Sequence, residues 1–266
     1  MPEACFSFVI RVERAPMPQI KAIGFDLFNT LIVPDMQALP EAMRRLIESL
    51  QKSGFFLDQK AFKESYREAA IRFIEATRQD GRETHNRFWI CAALETQGYA
   101  LQPNDLRINE AVEAYFSAFP EHCHLIPGTR DMLQTLHETY RLGLLSNFTH
   151  GPAAREIIKH VGLNPFFDVI LISGEEGFRK PHPLVFHRLV EGLGVQPNQV
   201  IYVGDDPEPD IAGAQGAGLR PVWTTYVEKK ELPFPLNVSI TTAEDIRAHV
   251  PRISTWQDLF ALLREL

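Results

Sequence analysis

The sequence predicts an α/β protein: a doubly wound parallel sheet with an all-helical domain inserted into it. Three observations carry this. Five short apolar segments, each closing on a polar or glycine-bearing turn, read as strands covered on both faces. Helical stretches separate the later ones. Between Asp35 and about Cys123 the strand pattern stops and only helical periodicity remains.

The five strand segments are Ile20–Phe25, Arg141–Leu145, Val169–Ile172, Val200–Val203 and Arg220–Trp223, all rich in Ile, Leu and Val. Arg130–Tyr140, Ala153–Val161, Pro183–Leu193 and Pro209–Ala217 read as the helices between them. Val238–Thr242 is read as a further edge strand, and Ser254 or Thr255 as the cap of a last amphipathic helix through Leu263. Within the helical block, Phe62, Tyr66, Ala69 and Phe73 recur at helical spacing, Phe88, Ala92, Leu94 and Glu95 mark a second helix, and Ile108 to Phe119 a third. The domain reading is therefore a core of residues 20–34 plus 124–266 and a helical block of 35–123. Residues 1–19 are read as a leader outside the fold, since Met17 resembles a second start ahead of the first clear strand.

With 266 residues and a formal net charge of −7, the chain lacks the basic face expected of a nucleic-acid binder or of a protein held on an anionic membrane. The apolar run Ala4–Ile10 is too short to span a bilayer and lacks the basic start of a signal peptide. Cys5, Cys91 and Cys123 are scattered, which suits a reducing cytoplasm better than a disulfide framework.

In parallel α/β sheets, chemistry collects at the carboxyl ends of the strands. The first strand is followed by Asp26-Leu27-Phe28-Asn29-Thr30 and the second by Ser146 and Asn147. Arg179-Lys180-Pro181 lies beyond the third, and Gly204-Asp205-Asp206-Pro207-Glu208-Pro209-Asp210 follows the fourth. A carboxylate, a hydroxyl, an ammonium and an acidic cluster thus reach one rim in that order. Any one alone is ordinary: an Asp in a turn, a Ser at a helix cap, a solvated Lys. The acidic cluster puts four carboxylates within six residues, which would repel an anionic substrate unless a cation sits among them. Mg²⁺ suits such a site, because it takes one or two carboxylates and completes its shell with water and phosphate.

This order of motifs over Ile20–Trp223 resembles the haloacid dehalogenase superfamily, as do Ile126-Pro127-Gly128-Thr129 and the run from Asp210 to Gly218. The resemblance implies a Rossmann-like core and attack by the Asp26 carboxylate to form a transient aspartyl intermediate. It implies Ser146 and the backbone N–H of Asn147 on a phosphoryl oxygen, Thr30 beside the substrate, and Lys180 next to the nucleophile. The metal ligands it implies are Asp26, the backbone carbonyl of Phe28 and Asp205, with Asp210 behind them; Asp206 and Glu208 have no role in it and read as solvated loop charges. The expected partner is a small phosphorylated metabolite.

One position departs from the family pattern. Most phosphatases of the superfamily carry a second Asp two residues after the nucleophile as general acid, and here that residue is Phe28. Three readings follow: a phosphohydrolase with a good leaving group or another proton source; a haloacid dehalogenase, which carries an aromatic residue there; or a weakly active phospho-ligand or partner binder. Asp205 favours the first, because the dehalogenases are metal-free and have Ser in its place. The loop Gly54-Phe55-Phe56-Leu57 also lacks their substrate-holding Arg. General acid catalysis is worth about 10²–10⁴-fold, so its loss slows the reaction without abolishing covalent attack. The helical block is the expected cap over the rim. Arg82, His85, Asn86, Arg87 and Trp89 could face a substrate, although each singly reads better as an ordinary helix-start residue.

Overall fold

The computed structural model describes residues 19–230 and 250–266. Residues 1–18 and the expected strand Val238–Thr242 lie outside them.

Strands β1 (Ala22–Phe25), β2 (Ile32–Pro34), β3 (Cys123–Leu125), β4 (Arg141–Ser146), β5 (Val169–Ile172), β6 (Val200–Gly204), β7 (Arg220–Thr224) and β8 (Arg252–Ile253) form two sheets. The larger has the order β5-β4-β1-β6-β7-β8 and is parallel throughout. β1 is central and fully buried, with Phe25 level with Leu144 on one side and Val203 on the other. Each face of the sheet buries its own apolar cluster, Ile23 and Phe25 with Leu144 and Val203 on one, Leu145 and Tyr202 with Phe186 and Leu189 on the other. All five expected strands form, with boundaries shifted by a residue or two. β8 is only two residues long, too short for any pattern to announce it.

The smaller sheet pairs β2 antiparallel with β3, tying together the two ends of the helical insert. Between them lie α1 (Ala38–Lys52), α2 (Gln59–Ala76), α3 (Asn86–Glu95) and α4 (Leu106–Phe116). Asp58 accepts from Lys60 N and Ala61 N to start α2, and Asp105 accepts from Arg107 N to start α4, each satisfying otherwise orphaned amides. α1 buries Ala38, Ala42, Leu46 and Leu50 along one stripe, and α2 buries Phe62, Tyr66 and Ala69. The face expected of α3 is corrected in part: Phe88 is 40% exposed, while Leu94 is buried as expected, together with Asn86, Ile90 and Ala93. Insert and core share one apolar cluster, which runs from Phe25 through Phe148 and Phe116 to Leu46 and Ile90.

The helix expected over Pro209–Ala217 is also different. Pro207–Ala212 forms a widened turn in which Ile211 N reaches back five residues to Asp206 O, and an ordinary helix follows over Gly213–Gly216. Pro207 and Pro209 bring no N–H to this turn, and the Asp206 side chain caps it at Glu208 N. The wide turn packs Asp210 against the end of β6. A Cβ at Gly204 would lie 2.4 Å from Asp210 Cβ, so glycine is required there by close approach.

Candidate active site

β1 continues past its last residue through Asp26 N, which donates to Val203 O at 2.9 Å, so the Asp26 carboxylate stands at the centre of the carboxyl rim. It is 6% exposed. Lys180 Nζ donates to Asp26 Oδ1 and to Asp210 Oδ1, both at 2.6 Å, and to the Tyr202 hydroxyl at 3.1 Å. The other oxygen of Asp210 accepts the backbone N–H groups of Asp205 and Asp206 at 3.1 and 3.0 Å. Asp210 therefore holds both the ammonium and the loop that carries Asp205. Asn147 fixes Lys180 from behind, accepting its N–H at 2.8 Å and donating to its carbonyl at 3.0 Å. The Asn147 carboxamide is thus a positioning group, which leaves the expected ligand role to its backbone N–H.

Ligand atoms of Asp26, Asp205 and Asp210 lie within 4.8 Å of one another. Three carboxylates against one ammonium leave two negative charges uncompensated. Burial, then the field of Lys180 against that of Asp210, acts on Asp26, and the net result pushes its carboxyl above the usual range. Asp205 is pushed well up by burial and by its acidic neighbours. Burial alone would lower Lys180, but Asp210 and Asp26 hold it well above the usual value, so it is a fixed cation. Asp205 Oδ2, Ser146 Oγ and Thr30 Oγ1 are all buried without a hydrogen-bond partner. A buried polar atom left unsatisfied costs about 1–3 kcal/mol, and three at one rim mark a place built for a ligand. The set fits a hard divalent cation beside an oxyanion: the cation offsets the surplus charge, and the hydroxyls wait for an acceptor.

Phe28 is 8% exposed, and its ring stacks on Phe148 at 5.2 Å and 11°. Phe148 in turn meets Phe116 at 5.3 Å and Phe119 at 5.7 Å, and Phe116 stacks on His150 at 4.7 Å. An aromatic wall therefore leads from the loop after Asp26 to the helical insert. Asp206 and Glu208 are not solvated loop charges. Asp206 is buried and caps the turn, and Glu208 pairs with Arg78 of the insert at 2.9 Å. Tyr202 and the wall went unseen in the sequence, because an aromatic residue in a strand or after one reads simply as core.

The insert docks directly beside Lys180. Arg179 donates to Ile74 O at 2.7 Å and Arg82 O at 2.9 Å, and its own N–H reaches Gly81 O at 2.9 Å. Glu83 bonds Ser173 Oγ and lies 3.7 Å from Arg179 Nη1. Grooves on the insert surface, one bounded by Arg45 and Glu110 and another by Arg72 and Phe88, contain none of these groups.

The described residues thus make a parallel α/β core with a buried acidic centre at its rim and a helical insert docked beside it. A family model described as haloacid dehalogenase-like hydrolase matches residues 20–218. The chain belongs to that family and is a hydrolase. It is 30% identical over 223 residues to a glyceraldehyde 3-phosphate phosphatase of Pyrococcus furiosus, covering 81% of this chain and 85% of that one. It is 32% identical over 221 residues to the N-acylneuraminate-9-phosphatase of Mus musculus, covering 78% and 83%. In fold it is similar to a 2-haloacid dehalogenase from Pseudomonas syringae, with a TM-score of 0.68 and 23% identity over 93% of this chain and 99% of that one. No helix among the described residues is long and apolar enough to cross a membrane.

Proposed function

We propose that this chain is a Mg²⁺-dependent phosphatase of small phosphorylated metabolites, acting through a covalent aspartyl intermediate, with the helical insert as its cap. The observation that carries this is the convergence of Asp26, Asp205 and Asp210 within 4.8 Å around the buried ammonium of Lys180. Both curated relatives described above carry phosphatase names.

In this reading the Asp26 carboxylate attacks phosphorus, the bond to the leaving oxygen breaks, and phosphoryl rests on Asp26. Water then attacks the phosphorus of that intermediate, releasing phosphate and the free carboxylate. Lys180 holds Asp26 in line and offsets charge on the phosphoryl group. Ser146 Oγ–H and the Asn147 backbone N–H donate to phosphoryl oxygens, and Thr30 donates from the nucleophile loop. Asp26, the Phe28 carbonyl and Asp205 would hold Mg²⁺, with Asp210 orienting Asp205 and Lys180. Bound there, the ion neutralises charge on the transferring phosphoryl group.

Phe28 supplies no proton to the departing oxygen. His85 and His150 are held below the ordinary imidazole range, chiefly by burial, which disfavours the protonated form of each. The reading therefore favours leaving oxygens that tolerate charge, acyl and anomeric phosphates ahead of simple alkyl phosphates.

The test is hydrolysis of acetyl phosphate and sugar phosphates with Mg²⁺ and with EDTA. Mg²⁺-dependent release of phosphate is expected. The Phe28–Phe148 stack favours one second reading, a dehalogenase, and release of chloride from 2-chloropropionate in EDTA would establish that instead.

A further inference from the structure

The segment between α2 and α3 lies along the core loop that ends in Lys180. Glu83 N donates to Gly177 O at 3.0 Å and Arg179 N to Gly81 O at 2.9 Å, with Arg82 opposite Phe178 in a short antiparallel bridge. The Glu83 side chain is only 7% exposed, and three donors meet its carboxylate. Ser173 Oγ–H bonds Oε2, while Thr84 N–H bonds Oε1 at 2.8 Å and Arg179 Nη1 stands 3.7 Å from the same oxygen. Burial pushes the carboxyl above its usual range, and the contacts with Ser173 and Arg179 offset part of that rise. An amide could not serve here. Its NH2 would either face Thr84 N–H and Arg179 or force the Ser173 hydroxyl to turn its proton away.

Ser173 passes the contact on. It is fully buried, and its oxygen accepts the Phe148 N–H at 2.8 Å. Gly174 N donates to Phe148 O at 3.1 Å, and a Cβ on Gly174 would lie 2.5 Å from Thr149 O. The turn after β5 therefore lies flush on the loop after β4. With its proton committed to Glu83, the Ser173 hydroxyl keeps a lone pair on Phe148 N–H; without Glu83 the proton can turn toward Phe148 O, 3.4 Å away. Phe148 follows Asn147, whose carboxamide holds both backbone groups of Lys180, and Lys180 follows Arg179. The contacts close a ring: Glu83, Ser173, Phe148, Asn147, Lys180, Arg179 and back to Glu83. All its members except Glu83 belong to the core.

We propose that Glu83 is a positioning residue: from the insert, its carboxylate holds the loops of Asn147 and Lys180 in register with Asp26. The proposal rests on the phosphatase reading and adds to it a group that acts without touching substrate. Anchoring of the insert is already served by Arg179, which donates to Ile74 O and Arg82 O. The Ser173 link reaches past that seam to the loop assigned to phosphoryl oxygens, where a displacement of about 1 Å can cost about 10²-fold in rate.

The experiment compares the full chain with Glu83→Gln, Ser173→Ala and the double variant. It measures kcat/KM with Mg²⁺ on acetyl phosphate and on phenyl phosphate, and amide hydrogen exchange in each protein. Each single variant should lower kcat/KM about tenfold or more, by the same factor on both substrates, since the ring serves only their shared phosphoryl half. The double variant should lose no more than the larger single loss, because both changes break one link. Phe148 N–H should exchange about tenfold faster in each variant while the β1 amides stay protected. Should Glu83→Gln not fold, Ser173→Ala carries the test on the same terms. Losses that multiply in the double variant would overturn the proposal, and so would a loss confined to one substrate, which would make Glu83 a substrate contact. Exchange that quickens at β1 in both single variants would reduce Glu83 to an anchor of the fold and overturn it too. Unchanged kcat/KM would overturn it while leaving the phosphatase reading intact, and a wild type that releases phosphate from neither compound would remove both.

Discussion

Replacing Lys180 by Met tests the electrostatic account of the site in a single stability measurement. Lys180 is 3% exposed, and its ammonium makes two 2.6 Å contacts with carboxylates that are themselves buried. Methionine preserves most of the volume and none of the charge. Asp26, Asp205 and Asp210 would then face one another within 4.8 Å with nothing between them. Removing one partner of a buried pair costs about 3–5 kcal/mol, because the remaining charge is left desolvated. Against a typical total of about 5–15 kcal/mol, that is a large share of the stability. The assay is urea unfolding at pH 7.5 in EDTA, wild type against Lys180→Met, with the slopes compared to confirm that the same surface is exposed. The expected loss is about 3–5 kcal/mol. The double variant Lys180→Met, Asp210→Asn should recover about 1–2 kcal/mol of it, since one of the repelling carboxylates is gone and residues in contact are not additive. A loss below about 1 kcal/mol, or no recovery, would mean that the three carboxylates do not share a buried site, and the reasoning would fail.

Asp26→Asn should abolish turnover without lowering the melting temperature, since it removes a desolvated charge; a retained rate would reject the nucleophile assignment. Phe28→Asp should raise the ratio of alkyl to acyl phosphate hydrolysis about 10-fold or more if leaving-group protonation limits the rate, at a cost in stability from breaking the stack on Phe148. His85 is depressed from the usual imidazole value to about 4, chiefly by burial, so between pH 6.5 and 4 the unfolded chain binds the proton more readily than the folded one. Its contribution is complete above pH 6.5 and is lost as pH falls toward 4, about 1–2 kcal/mol after discounting its partial exposure. His85→Gln should flatten the acid side of a stability–pH curve by that amount. Arg179→Met removes side-chain bonds to Ile74 O and Arg82 O and should speed hydrogen exchange in the segment around Gly81–Thr84 while leaving the β1 amides protected.

The core was readable because a parallel strand buried on both faces spells itself as a continuous apolar run, as Val200–Val203 does, and because the residue after each such run lies on the rim by topology alone. Asp26, Lys180, Asp205 and Asp210 could be placed near one another on that argument before any distance was known. The α3 face could not. Periodicity treats Asn86 as a polar residue facing water and Phe88 as buried, whereas the helix lies with Asn86 inward and Phe88 at 40% exposure. Nor could the docking of the insert, since Arg179 reaches Ile74 across 105 residues through a backbone carbonyl, which any residue would offer. The pairing of β2 with β3 rests on three residues each, below the length at which alternation means anything.

The same limit explains why Phe28 looks like a deletion in the sequence and like a construction in the fold. By composition it is a missing acid. In place, its ring begins a stack that passes through Phe148 to Phe116 of the insert and ends on His150, so the loop bearing Asp26 packs continuously against the helices of the insert. An aspartate at this position would bring a charge to that apolar wall and a fourth carboxylate to a centre that already carries three against one ammonium. The buried phenyl ring brings no charge to the centre, and the Lys180–Asp26 contact, itself buried, is strengthened by the low dielectric around it. On the proposed phosphatase reading, what is given up is proton transfer to the leaving oxygen, and that loss would matter least for substrates whose departing group is already stable as an anion. The residue at position 28 and the chemistry of the leaving group are therefore linked, and the substrate range should narrow toward good leaving groups as long as the ring remains.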